Sequence, residues 1–368
     1  MLKNQLIIMP IDESWDHSAD FLRQTALTLS SQNQVIIYDQ KNAYFFLKKK
    51  ERLVYPKHKN IEFHQVKYFL PFRRFLFLEK LNRLFSFWFL LYQHRFSKKI
   101  VWIFYPNYYD LAKIKNRSII NLYDCVDYCE DFDKEIKLIK NVNYFFVNSL
   151  ALQKLHQNKN KEAIYIDAQG FFLPDEKKVK EAKLKKNKPI IGFVGGINYR
   201  LDFVLLNQLI KNNPQWHFVF YGPKQKFLKE DILFRTEFWL KKIKKYQNVT
   251  FGKSKNRYEV YGLIKKIDVA IIPYNPKITF NKYCYPMKVF EYLYFQKPVV
   301  SSDIKELNSD KFKKLVKIAK KYKDWNKNIQ DFLNNNHSST DAQQGQKLAI
   351  SNSWQQKINK IMKIIDHY

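Results

Sequence analysis

The chain has 368 residues, 46% of them hydrophobic, and carries 65 Lys and Arg against 34 Asp and Glu, a formal net charge of +31. That length exceeds one ordinary core and suits two domains of about 150 to 200 residues, while the charge draws anionic partners such as nucleotides, lipid head groups or nucleic acid. The three cysteines, Cys125, Cys129 and Cys284, give neither an even disulfide framework nor a metal-type quartet, and they fit a reducing compartment. The apolar run at the start is too short for a signal peptide, and no stretch of about 18 apolar residues reads as a spanning helix, so a cytoplasmic protein is expected.

Leu6–Met9 reads as a first buried strand. A polar loop with Asp12, Trp15, Asp16 and His17 follows it, then a helical pattern through Phe21, Leu22, Ala26, Leu27 and Leu29. Further short apolar runs at Val35–Tyr38, Val101–Tyr105, Ser118–Tyr123 and Tyr144–Val147 alternate with helical segments, which argues for a parallel sheet covered by helices. Residues 66–99 differ, interleaving Phe69, Phe75, Phe77, Phe85, Trp88 and Phe89 with Arg73, Arg74, Lys80, Arg83 and Arg95. Two readings stand: a helix lying on an anionic bilayer with its arginines on phosphates, or a long helix packed on the sheet with its arginines snorkelling outward.

A lysine-rich stretch, residues 175–188, has the composition of a linker. A second α/β pattern follows, with strands expected at Pro189–Val194, Trp216–Tyr221, Asn248–Phe251, Asp268–Pro273 and Pro298–Ser301. The polar segment Asn334–Gly345 reads as a loop, and Trp354–Ile365 as a last amphipathic helix. No short-period repeat is present.

Chemistry concentrates in the second half. Gly195 and Gly196 end a buried strand and permit close approach of a ligand, although they lack the full dinucleotide spacing and a plain tight turn is the commoner cause. In an open parallel sheet ligands bind outside the carboxyl ends of the strands. That edge would gather the glycine pair, Gly222 after its strand, Tyr274, and the segment Tyr285-Pro286-Met287-Lys288-Val289-Phe290-Glu291. Proline suits the first helical position, so a helix is expected to open at Pro286 with free N–H groups that attract phosphate. Lys288 would add a positive charge, and Glu291, three residues on, would accept hydroxyl hydrogen bonds. A diphosphate and a ribose would satisfy both; the bland alternative is an exposed Lys–Glu pair. In the first half Asp127, in the turn after a strand, is the candidate to take a proton from a hydroxyl. Asp124 is its alternative, and either could instead cap the next helix; Asp16 and His17 are further alternatives.

In order, "IGFVGGINYRLDFVLLNQLIKNNPQWHFVFYGP", "DVAIIPY" and "YPMKVFEYLYFQKPVVSSDIKEL" resemble the donor domain of GT-B glycosyltransferases of the large retaining family 4. "YDCVDYCEDFD" and "YFFVNSLALQKL" are similar to the acceptor domain of a bacterial envelope-polysaccharide branch. The resemblance implies an α/β chain of two Rossmann-like domains facing across a cleft, 1–184 binding acceptor and 185–345 binding a nucleotide-sugar, with 346–368 crossing back to the first domain. It implies transfer of a sugar, with retention, from a nucleotide-diphosphate sugar to a lipid-linked or growing cell-surface polysaccharide, with an anionic membrane surface met through 66–99. Glu291 would hold the donor ribose and Lys288 the diphosphate, beside Gly195, Gly196, Arg200, Gly222 and Tyr274. Asp127 and Lys288 would be catalytic, and Trp15, Asp16 and His17 would meet the acceptor. No metal and no cofactor are expected.

The sequence departs from the family pattern at Tyr283, where a first glutamate usually stands, and at Gln296, where glycine usually precedes Lys-Pro. A histidine common near Asp127 is absent. The competing expectations are an inactive GT-B scaffold and a basic polyanion-binding protein. Against a specific nucleic-acid binder, there is no zinc pattern, no helix-turn-helix and no aromatic sheet motif.

Overall fold

A computed structural model of the chain describes residues 4–11, 15, 20–45, 57–70, 75–157, 162–182, 184, 187–223, 230–253, 256–334 and 337–366. The chain divides into two compact units, residues 1–167 with 354–368, and residues 168–353.

The first unit runs β1 (Leu6–Ile11), α1 (Asp20–Leu29), β2 (Gln34–Phe45), β3 (Ile61–Tyr68), α2 (Leu76–Gln93), β4 (Lys99–Ile103), β5 (Ile119–Cys125), α3 (Phe132–Ile139), β6 (Tyr144–Val147), α4 (Leu150–Leu155) and β7 (Ile164–Tyr165). Its strands form one sheet in the order β3-β2-β1-β4-β5-β6-β7, parallel throughout, with Ile8 paired to Ile36 on one side and Val101 on the other. Helices cover both faces of such a sheet, so its inner strands are continuous apolar runs. All of Leu6–Ile11 is buried. Residues 61–68 and 164–165 gave no strand signal, for a physical reason. Both lie at sheet edges; in the first, exposed Glu62 and half-buried His64 and Gln65 interrupt the apolar run, and the second is only two residues long.

The second unit repeats the plan with β8 (Ile190–Val194), α5 (Phe203–Asn212), β9 (His217–Tyr221), α6 (Glu230–Ile243), β10 (Val249–Gly252), α7 (Arg257–Lys266), β11 (Val269–Ile272), α8 (Thr279–Tyr283), α9 (Lys288–Tyr294), β12 (Val299–Ser302), β13 (Val316–Ala319), α10 (Tyr322–Leu333) and α11 (Ser339–Ser351). Its sheet order is β10-β9-β8-β11-β12-β13, again parallel. The last helix, α12 (Trp354–Asp366), belongs to the first unit and packs against α1. Its Lys357 Nζ lies 3.1 Å from Asp124 Oδ1, both side chains fully buried, and Lys360 Nζ donates to Asp167 O at 2.6 Å.

Two expectations from sequence change. The segment Asn334–Gly345 is not all loop: α11 starts at Ser339, and Ser338 Oγ accepts the Asp341 N–H at 3.0 Å as its cap. Only small residues of that helix, Ala342, Gly345 and Ala349, are buried, so its composition hid an apolar face. The stretch expected to link domains also packs inward. Phe171 and Val179 join the second unit's core, and Ala182 N donates to Gly262 O at 3.1 Å, so the division falls at 167/168 and 353/354 rather than at 184/185 and 345/346. Among the described residues no helix is long and apolar enough to cross a membrane.

Candidate functional site

In the second sheet β8 lies between β9 and β11, so the chain leaves β8 in one direction and returns on its other side. A crevice opens outside the carboxyl ends of strands at such a reversal. The loops there are held to one another. Gly195 N donates to Tyr221 O at 2.8 Å and Gly222 N to Gly252 O at 3.2 Å. A Cβ on Gly222 would stand 2.0 Å from Gly195 O, so only glycine lets these two turns meet. Beneath them Val194 N donates to Tyr292 Oη at 2.8 Å, pinning α9 under the glycine turn.

Two cations converge on Tyr274. Lys288, the first residue of α9, donates from Nζ to Tyr274 Oη at 2.5 Å and lies 5.2 Å from the Phe193 ring centroid and 5.0 Å from that of Tyr274. A Cβ on Gly195 would be 3.1 Å from Lys288 Nζ, which sets the ammonium directly against the glycine turn. Arg200 is held between the Tyr274 and Phe280 rings, 4.5 and 4.4 Å from their centroids. Its Nε donates to Asn281 Oδ1 at 2.8 Å, and Asn281 Nδ2 donates back to Arg200 O at 2.9 Å. Cations fixed in this way bind an oxyanion at little reorganisation cost.

Lys288 and Glu291 do not form the exposed pair of the bland reading. Glu291 is buried, and its Oε1 accepts from Arg257 Nη1 at 3.2 Å. The helix start also differs from expectation. α9 comprises Lys288–Tyr294, and the N–H groups of Val289 and Phe290 turn back onto Pro286 O at 3.2 Å and Met287 O at 3.0 Å. A tight turn thus consumes two donors that were expected to be free. At the other end Gln296 adopts the left-handed φ of 58°, and Lys297 N reaches Tyr292 O at 3.0 Å. The glycine-type termination is kept without the glycine.

The first-unit candidates separate. Asp127 is exposed in the turn after β5, and its carbonyl accepts from Cys125 Sγ at 3.4 Å. Asp124 is buried, bonded to Lys357 and to Trp102 Nε1 at 3.3 Å, so it is part of the core. Asp131 caps α3 by accepting from Lys134 N. Trp15 is buried, edge-on to Phe63 with centroids 5.2 Å apart; Asp16 and His17 lie outside the described residues. Cys125, Glu135 and His156 bring a thiol, a carboxylate and an imidazole within 4.8 Å of one another in the core, the one such group among the described residues that could hold a metal ion. Tyr123 Oη donates to Glu135 Oε1 at 2.7 Å, and burial together with Glu135 pushes the Cys125 thiol well above its ordinary range.

Sequence reasoning missed Arg257, Asn281 and Tyr292. Arg257 had a signal, since it follows the helix-capping Asn256 at the carboxyl end of β10; Asn281 and Tyr292 had none.

Residues 174–348 match the family Glycosyl transferases group 1. That match covers most of the second unit. The chain is 30% identical over 115 residues to the putative teichuronic acid biosynthesis glycosyltransferase TuaH of Bacillus subtilis (strain 168), a match spanning 31% of this chain and 27% of that relative. Sucrose-phosphate synthase from Thermosynechococcus elongatus superposes with a TM-score of 0.75 at 14% identity over 99% of both chains. The Anabaena protein HepE, solved in complex with UDP-glucose, gives 0.70 at 11% identity over 99% of this chain and 100% of that one. The fold is therefore the two-sheet GT-B fold, with parallel sheets in both units.

Proposed function

We propose that the protein transfers a sugar from a nucleoside-diphosphate sugar to a hydroxyl acceptor. The observation that carries this reading is the cluster at the β8/β11 crevice: Lys288 against the Gly195 turn, Arg200 fixed beside Tyr274, and the buried carboxylate of Glu291 one helical turn from Lys288. Lys288 and Arg200 would neutralise charge gathering on the departing diphosphate, the largest single contribution a protein makes to such a step. Glu291 would accept the ribose hydroxyls, and the exposed Asp127 would take the proton of the acceptor hydroxyl. Retention at the anomeric carbon is proposed with the family resemblance of the second unit alone behind it.

The acceptor we propose is a lipid-linked or growing cell-surface polysaccharide. The TuaH relative, a putative teichuronic acid biosynthesis glycosyltransferase, supports it, and so does the outer face of α2. Phe77, Phe85, Trp88 and Tyr92 are 69, 52, 59 and 52% exposed and recur at helical spacing on one stripe, with Phe96, 90% exposed, in the turn just beyond the helix. Arg95 lies over the Tyr92 and Phe96 rings at 4.9 and 4.5 Å, and Lys67 over Phe89 at 5.3 Å. Exposed aromatics flanked by cations suit the headgroup zone of an anionic bilayer, and peripheral attachment to a membrane follows from the reading.

The test is transfer itself. Purified protein is incubated with labelled sugar nucleotides and extracted bacterial membrane lipid, and label is followed into the organic phase. The reading expects one sugar nucleotide to deliver label, with the rate reduced at least a hundredfold in Glu291→Ala and Lys288→Ala, about what loss of a charged contact in a transition state costs. Equal delivery by the variants would contradict the assignment of the site, and a protein that binds only polyanions, in a salt-dependent way, would contradict the enzyme reading.

A further inference from the structure

We propose that Arg257 is a positioning residue that fixes the Glu291 carboxylate for reading the donor ribose, and that it thereby sets the preference for ribose over 2′-deoxyribose nucleotides. The inference rests on the donor-site reading above.

Glu291 is almost wholly removed from water, with 9% of its side chain exposed, and Arg257 is 21% exposed. A carboxylate so buried needs a compensating charge. Lys288, which shares its helix, does not supply it, because the Lys288 ammonium points to Tyr274. Arg257 does, reaching from the start of α7 to Glu291 Oε1 at 3.2 Å. Among the described residues Oε1 is the oxygen engaged, so Oε2 is left to a ligand hydroxyl.

Arg257 is itself built into place. Asn256 caps α7 by accepting the Glu259 N–H at 3.0 Å, which fixes the backbone on which Arg257 stands. The Phe172 ring lies 5.6 Å from its guanidinium carbon, and Tyr261, packed beside both groups, donates from Oη to Phe172 O at 2.5 Å. The Tyr261 hydroxyl is held well above its ordinary range by burial first and by the Glu291 charge second, while Arg257 opposes that shift. A carboxylate rotates about its last bond with little hindrance. One locked by a planar, always-charged guanidinium presents a single oxygen in a single direction. That difference separates a group that attracts any hydroxyl from one that tells a 2′-hydroxyl from a hydrogen.

The experiment compares binding of each nucleoside diphosphate with that of its 2′-deoxy counterpart, UDP against dUDP and GDP against dGDP, by calorimetry on the full chain. Wild type is expected to prefer the ribonucleotide about tenfold, the worth of one hydrogen bond to a charged group. Arg257→Gln is expected to bring the two within about threefold, and Arg257→Lys, which keeps the charge without the plane, to fall between. A purely structural role would weaken both nucleotides in proportion and leave their ratio unchanged in both variants. An unchanged ratio overturns the inference. Absence of all nucleotide binding by wild type overturns instead the donor-site reading on which it stands. Should Arg257→Gln fail to fold, the Arg257→Lys ratio decides alone.

Discussion

Asp124 and Asp127 stand three residues apart, and the sequence made either a candidate for proton transfer. Burial separates them. Asp124 lies in the core with Lys357 Nζ at 3.1 Å and Trp102 Nε1 at 3.3 Å, whereas Asp127 is exposed. Removing one partner of a buried ion pair leaves an uncompensated charge and costs about 3 to 5 kcal/mol, while replacing both with apolar groups is often close to neutral. Lys357→Met and Asp124→Leu should therefore each lower the unfolding free energy by about 3 kcal/mol, and the double substitution should recover most of that loss. Urea unfolding of the three variants measures it. Additive losses in the double variant would show that the pair does not hold α12 to the first unit's core.

Elements were legible where both faces are buried. Tyr144–Val147 was placed to the residue, and the strands that became β8, β9, β11 and β12 to within one residue at each end, because their apolar runs are continuous. Edge strands β3 and β13 interrupt their apolar residues with polar ones and β7 is only two residues long, so none gave a run to read. The described part of 66–99 forms the end of an edge strand, α2 and the start of β4, while Arg73 and Arg74 lie outside the described residues; the packed-helix reading holds for one face of α2. Phe87 and Leu90 pack inward, Arg83 bonds Asp110, and the opposite face of α2 keeps its aromatics in water. For that face the expectation is flotation of the protein with vesicles containing phosphatidylglycerol but not with phosphatidylcholine alone. Phe85→Ser, Trp88→Ser and Tyr92→Ser together should weaken this at least tenfold, since each removes apolar area worth about 25 cal/mol per Å² from the headgroup zone. Equal flotation of the triple variant would contradict a bilayer as the partner of α2.

At the scale of the whole molecule, two sheets of the same 3-2-1-4-5-6 order recur in one chain, and that order puts the glycine turn, Tyr274 and α9 at one crevice. The motif residues Lys288 and Glu291 could be read from sequence because a lysine and a glutamate three apart share a helical face. What they touch could not. Arg257 approaches from 34 positions away and Asn281 holds Arg200 across 81, separations that no local pattern encodes. Tyr283, where the resembled pattern has a glutamate, is half-buried at the end of α8, so the proposed donor-sugar recognition would differ from that pattern there.

The measurement that bears most directly on the central claim is thermal stabilisation by UDP, GDP, dTDP and CMP at moderate salt, on wild type and on Glu291→Ala and Lys288→Ala. A ligand that binds only the native state adds about 2.7 kcal/mol at a hundredfold excess over its Kd. The donor-site account predicts a clear rise in Tm with one of the nucleotides, lost in both variants and surviving the salt. No rise with any of them, or an equal rise in the variants, would contradict it.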